Sequence, residues 1–161
     1  MSSKMITLDD ENTRFQLRVA GIATNNGRVL IQRKESDDFW ALPGGRIEFL
    51  ESSQNTLMRE MKEELGLDVK LDQLLFSCEY FYENEEMAFH ELGFYYRMSF
   101  PGKCYLFGGK EEFTGDEHGE KLIFKWYPIN KLDDLMMYPS FLKKALQSES
   151  PVIGHMIEKE Y

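Results

Sequence analysis

Glu60, Glu63 and Glu64 are the residues of this chain whose type and spacing point most directly to chemistry. At about 100° per residue they fall within an arc of roughly 100° on a helix, beside the apolar arc of Leu57, Met61 and Leu65. Glutamates so placed repel one another, and a helix selected only for stability more often interleaves lysines at i+4. A bound hard cation removes that repulsion, because magnesium and its relatives take oxygen ligands. The competing reading of Glu60-Met61-Lys62-Glu63-Glu64 is a solvated acidic face. Against it stands the upstream segment Gly44-Gly45-Arg46-Ile47-Glu48-Phe49-Leu50-Glu51, which brings more carboxylates and backbone amides to the start of the helix, where cations or phosphate groups can be held.

The elements that must position these groups follow from periodicity and turn chemistry. Ser53 to Leu65 contains no Gly or Pro, and its apolar residues recur at intervals of four up to Gly66, a C-cap glycine, so it is predicted to be a helix. Phe15–Thr24 and Arg28–Lys34 flank Asn25-Asn26-Gly27 and read as a hairpin. After Trp40-Ala41-Leu42-Pro43-Gly44-Gly45 a loop is expected. Val69–Tyr82 and Met87–Phe100 read as longer aromatic-rich strands joined through Glu83-Asn84-Glu85-Glu86. Pro101 to Glu120 reads mainly as loop and Lys121–Tyr127 as a strand. A last helix is expected from an Asn130 cap to about Gln147, broken or kinked at Pro139. Residues 1–12 and 149–161 are expected to be tails on a single domain spanning 1–161.

Length and charge narrow the functions. A chain of 161 residues can bury one core without disulfides or a structural metal. With 28 acidic against 19 basic residues, a formal charge of −9, it should repel duplex nucleic acid. Action on phosphates remains open if divalent cations reverse the local field. No apolar run is long enough to span a membrane, the N-terminus does not resemble a signal peptide, and Cys78 and Cys104 are isolated, so a cytoplasmic setting is expected.

Gly45, Glu51 and Arg59-Glu60-Met61-Lys62-Glu63-Glu64-Leu65-Gly66-Leu67 resemble the box of the Nudix hydrolases at every specified position. Seven exact matches at fixed spacing arise by chance on the order of once in a hundred million windows. The resemblance implies an α/β/α sandwich around a mixed sheet, with the box as a loop-helix-loop that binds Mg2+ or Mn2+. It also implies a small-molecule substrate, a nucleoside diphosphate linked to a further group, and it is compatible with a homodimer. Glu60 and Glu64 are first-choice metal ligands with Glu63 next, since carboxylate-held metals supply charge neutralisation and an activated water. The same resemblance adds Glu51 as a supporting carboxylate, the Gly45 carbonyl as a ligand, and Arg59 as the residue that orients the glutamates.

The base is expected to be a box glutamate, Glu63 among them, or a carboxylate from a loop elsewhere. Glu120 leads the loop candidates, followed by Glu117 and Asp116. For the rest of the substrate, Trp40, Arg46, Tyr80 and Tyr82 are the binding candidates; Tyr80 and Tyr82 share one strand face and Phe81 faces the other way. His90 and His118 are set aside as structural or solvent-facing. The rival reading is a Nudix-fold nucleotide-binding regulator that does not cleave its ligand. The intact box favours the enzyme.

Overall fold

The computed structural model describes residues 4–150 and 154–161. In chain order the elements are β1 (Thr7–Asp10), β2 (Thr13–Ile22), β3 (Thr24–Asn25), β4 (Arg28–Lys34), β5 (Gly44–Arg46), α1 (Ser53–Leu65), β6 (Lys70–Asn84) and β7 (Met87–Ser99). They continue with a short 3-10 turn (Tyr105–Phe107), β8 (Glu112–Glu117), β9 (Glu120–Pro128), a second 3-10 segment (Ile129–Asp134), α2 (Leu142–Gln147) and β10 (Gly154–Glu160).

One mixed sheet has the order β1-β2-β7-β6-β10, with β5 also paired to β2; a smaller antiparallel sheet has the order β3-β4-β9-β8. The β2–β7 and β6–β10 pairs are parallel and the others antiparallel. Strand residues alternate between two cores. Val19, Leu30, Tyr96 and Phe124 join Leu57, Met61 and Leu65 of α1, whereas Ala20, Val29, Ile31 and Tyr95 join Leu132, Met137 and Leu142 of the C-terminal segment. Helical layers therefore cover the sheets on both sides, which is why these strands read as nearly continuous apolar runs. The protein is of the α/β class with a mixed sheet.

Helix α1 follows its expected bounds. The Ser52 side chain accepts from the Asn55 amide at its start, and Gly66 at φ 72 closes it with its N–H on the Lys62 carbonyl. Each wholly buried Leu57 or Met61 side chain contributes about 1.5–3 kcal/mol of transfer free energy.

Several expectations are corrected. The first hairpin is real only at its tip, where Asn26 and Gly27, both at positive φ, turn Thr24–Asn25 onto Arg28–Val29. The whole of β2, which carries most of the first expected strand, lies in the other sheet, because parallel pairing with β7 outcompetes the local hairpin. Gly44–Arg46 is a short strand rather than loop, held by β2. Of Pro101–Glu120, residues 101–111 are loop around a short 3-10 turn, but the rest is not: β8 occupies Glu112–Glu117 and turns through His118 and Gly119, both at positive φ, into β9. Asn130 caps nothing; it lies inside the 3-10 segment, and Pro139 separates that segment from a shorter α2. Neither end is a tail throughout, since Thr7–Asp10 pairs with β2 and Gly154–Glu160 with β6. Residues 1–3 and 151–153 of the expected tails lie outside the described residues.

Candidate metal centre and its surroundings

Helix periodicity puts Thr56, Leu57, Glu60, Met61, Glu64 and Leu65 on the buried side of α1. Glu60 and Glu64, one turn apart, are thereby forced inward, each 5% exposed. Strand alternation in β8 aims Phe113, Gly115 and Glu117 the same way. A side chain at Gly115 would put its Cβ 2.6 Å from the Glu64 carbonyl oxygen, so a glycine is what lets β8 approach α1 closely enough for Glu117 to arrive. Carboxylate oxygens of Glu60, Glu64 and Glu117 all lie within 4.8 Å of one another. Gly45 closes the other side. Its Cβ would stand 2.4 Å from the Glu60 carboxyl carbon.

The electrostatics of this cluster are unbalanced. Both Glu64 oxygens are buried and accept no hydrogen bond from the described residues. Burial, then the adjacent Glu60 and Glu117, push the Glu64 carboxyl up to about 10. Burial raises Glu60 as well, opposed in part by Arg59. Three carboxylates around two orphaned oxygens fit a hard divalent cation, whose charge would reverse these shifts.

Arg59 organises the surrounding acids. Its Nε and one terminal nitrogen donate to the two Glu51 oxygens at 2.8 and 3.0 Å, a bidentate pair. Its other terminal nitrogen donates to Glu60 at 3.0 Å and Glu63 at 3.2 Å. These bonds, led by Glu51, raise the Arg59 guanidinium above its ordinary value. Glu51 is held low by Arg59 and also accepts from the Thr56 hydroxyl at 2.5 Å. Glu51 therefore stands as a brace for Arg59, and Glu63, with a half-exposed side chain, stands at the rim.

The remaining candidates divide. Glu120 lies beyond the β8–β9 turn, pairs with Lys34 at 3.0 Å on the exposed surface, and is not part of the three-carboxylate cluster; Glu117 is. Arg46 of β5 sits opposite Arg18 of β2, which the sequence did not single out. Tyr80 and Tyr82 do share a face, with ring centroids 4.7 Å apart; the Tyr80 hydroxyl donates to Glu160 of β10 and the Tyr82 hydroxyl accepts from Gln16 at 3.2 Å. Trp40 packs under the Arg33 guanidinium, 5.2 Å from its ring centroid, and its backbone bonds Met136 and Tyr138. His90 stacks on Phe81 at 4.4 Å. Glu117, ranked behind Glu120 as a loop candidate for the base, is the one of the two that reaches the cluster; the two-residue turn His118-Gly119, preceded by residues that alternate inward from Phe113, is its signal in the sequence.

An α/β fold with a glutamate cage on a loop-helix-loop defines a protein of the Nudix kind. The chain belongs to that family, matching the NUDIX domain over residues 14–148. It is 29% identical over 143 residues to a Mycobacterium tuberculosis protein named as mutator protein MutT4, covering 83% of this chain and 53% of that one. It is 41% identical over 59 residues to the dihydroneopterin triphosphate diphosphatase of Escherichia coli, covering 35% of this chain and 39% of that enzyme. The chain thus spans about half, or less, of these curated relatives. Its fold superposes on a MutT protein from Bacillus halodurans with a TM-score of 0.59 at 22% identity, over 84% of this chain and 85% of the other. Among the described residues no helix is long and apolar enough to cross a membrane.

Proposed function

We propose that the protein is a metal-dependent hydrolase that cleaves a pyrophosphate bond in a nucleoside diphosphate linked to a further group, with Mg2+ or Mn2+ as cofactor. The observation that carries this reading is Glu64, whose two oxygens are buried and unpartnered among the described residues, beside Glu60 and Glu117. An uncompensated buried carboxylate is costly, and two more beside it worsen the cost unless a cation joins them. When bound, such ions neutralise pyrophosphate charge and activate a water.

The chain's own residues have separable tasks in this reading. Glu60, Glu64 and Glu117 hold the cation. Arg59 fixes the directions of Glu51, Glu60 and Glu63, and Gly45 leaves room for Glu60. Arg18 and Arg46 offer positive charge to the substrate phosphates. Glu117, rather than Glu120, is the acid of this hairpin that joins the site, there as a ligand, and Glu63 at the rim takes the base role by accepting a proton from water. The E. coli relative's name, a triphosphate diphosphatase, supports cleavage of a phosphoric anhydride. Two unpaired cysteines, Cys78 and Cys104, support a reducing, cytoplasmic setting.

The test is a screen of purified protein with magnesium against nucleoside triphosphates, dinucleoside polyphosphates, nucleotide sugars and ADP-ribose, identifying both products. Cleavage at an anhydride, abolished by chelator, is expected. Undiminished turnover in excess chelator, or in a folded E60Q/E64Q double variant, overturns the reading. Tight nucleotide binding without turnover of any compound assigns the regulatory role instead.

A further inference from the structure

On the sheet face that carries Ala20 and Tyr95, the rows nearest β5 turn polar. Arg46, Arg18, Gly93 and Cys78 are cross-strand neighbours in one row, and Gln16, Glu91 and Tyr80 in the next. Gln16 and Glu91 are 7% and 6% exposed. A buried carboxylate kept for structure alone is normally matched by a cation. Here Arg14, which shares this face, is committed to Asp9 at 2.7 Å, and among the described residues Glu91 bonds only Gln16. The Gln16 amide nitrogen donates to Glu91 at 2.5 Å and to the Tyr82 hydroxyl at 3.2 Å, which uses both of its hydrogens. What is left over is unpaired among the described residues: the second Glu91 oxygen and the Gln16 carbonyl are free acceptors, and the Tyr82 hydroxyl keeps a hydrogen to donate. Gly93 separates Arg18 from Glu91 along the sheet, and the Tyr95 ring packs over it, 3.1 Å from where a Cβ would stand. The Arg18–Arg46 pair is followed in the same ladder by Val19–Gly45, and Gly45 lies against the Glu60 carboxyl, so these polar rows reach the edge of the sheet that borders the carboxylate cluster.

We propose that Glu91, Gln16 and Tyr82 read the edge of a 2-amino-4-oxopyrimidine ring, that of guanine or of a pterin, while Arg18 and Arg46 take the phosphates. This rests on the pyrophosphohydrolase reading and adds the ring the site selects. The ring presents two neighbouring N–H donors followed by a carbonyl acceptor, complementary to two acceptors followed by a donor. Adenine offers one donor beside an acceptor, cytosine one donor beside two acceptors, and uracil a donor between two acceptors, so each leaves a buried group of this chain unpaired. A site built on hydrogen bonds rejects such analogues strongly. Arg18 and Arg46 supply the second half of the argument. Like charges directly opposite on paired strands repel, and neither guanidinium is ion-paired among the described residues, so an anion between them is the missing partner.

Calorimetric binding of GDP and ADP at one magnesium concentration tests this independently of turnover. GDP should bind at least about 30-fold tighter than ADP. Glu91→Gln, which puts an amide where a carboxylate accepts, should weaken GDP at least about tenfold more than ADP, and Tyr82→Phe, which is less disruptive to folding, should lower the GDP:ADP ratio several-fold. Arg18→Gln should weaken both equally. A pterin triphosphate that displaces GDP would assign the pterin source of the ring, and failure to displace it would assign the guanine one. Equal binding of GDP and ADP to the wild type, no binding of either, or an Glu91→Gln variant that weakens both alike would overturn the proposal. Equal turnover of guanine and adenine nucleotides would do so while leaving the hydrolase reading intact; GDP preference without turnover of any nucleotide would do the reverse.

Discussion

Replacing Glu64 by glutamine should make the metal-free protein more stable at alkaline pH, although it removes a group proposed to be essential. In the folded protein burial and the neighbouring carboxylates hold the Glu64 carboxyl up to about 10, whereas in the unfolded chain it returns to about 4.3. Between those values the folded protein keeps a proton that the unfolded chain has released. The unfolded state therefore binds fewer protons, and stability falls as pH rises, by up to about 1.4 kcal/mol per unit. From pH 6 to pH 8 this one group removes about 2.7 kcal/mol, roughly 5–10 °C of melting temperature for a chain of this size. Glutamine does not titrate, so E64Q lacks that contribution.

Thermal melts of wild type and E64Q in excess chelator at pH 6, 7 and 8 isolate Glu64 together with the response of Glu60 beside it, because the titrating groups away from this pair are common to both. The difference in melting temperature should shift steadily in the variant's favour as pH rises. Magnesium at pH 8 should then raise the wild type by preferential binding to the folded state and raise E64Q less. Parallel pH profiles for the two proteins would refute a proton-holding buried Glu64. Equal magnesium shifts would put the cation somewhere else.

Three further outcomes follow from the same geometry. Arg59→Lys should keep the fold but lose the bidentate grip on Glu51, lowering the hydrolysis rate about 10- to 100-fold and raising the magnesium concentration needed for half-maximal rate. Glu117→Gln should lose magnesium affinity and rate together, whereas Glu120→Gln should break only a surface pair with Lys34, stay within about 0.5 kcal/mol of wild-type stability and keep near-normal kinetics; the reverse pattern would return the site role to Glu120. Gly115→Ala should cost about 1–3 kcal/mol in denaturant unfolding and weaken magnesium binding, because its Cβ would meet the Glu64 backbone oxygen at 2.6 Å and the Phe124 ring at 2.8 Å.

What the sequence discloses about this protein depends on how local the controlling interaction is. Glu60 and Glu64 are legible because a helix fixes their relation within one turn, and Ser52 and Gly66 mark its ends in the sequence itself. The Asn26-Gly27 turn is legible for the same reason, but not that the chain leaves it for another sheet, since the pairing of β2 with β7 joins segments far apart in sequence. Strand β10 is not legible because neither of its faces is consistently apolar: His155, Ile157 and Lys159 face outward with Ile157 exposed, and Glu158 and Glu160 face inward beside Met156, which packs on a core. Its identity as a strand comes from its partner. There His155 spans Ser77 and Glu79 at 2.7 Å each, and Glu160 accepts from Tyr80 and from the Ser140 amide at 2.7 Å. The same distinction separates the carboxylates of the site. Asp116, Glu117 and Glu120 are equivalent as acids near a loop, and only the strand on which Glu117 stands, with its inward sequence Phe113, Gly115, Glu117, decides which of them reaches Glu64. That decision needs the close approach of β8 to α1 at Gly115, a contact between two elements that no local pattern encodes.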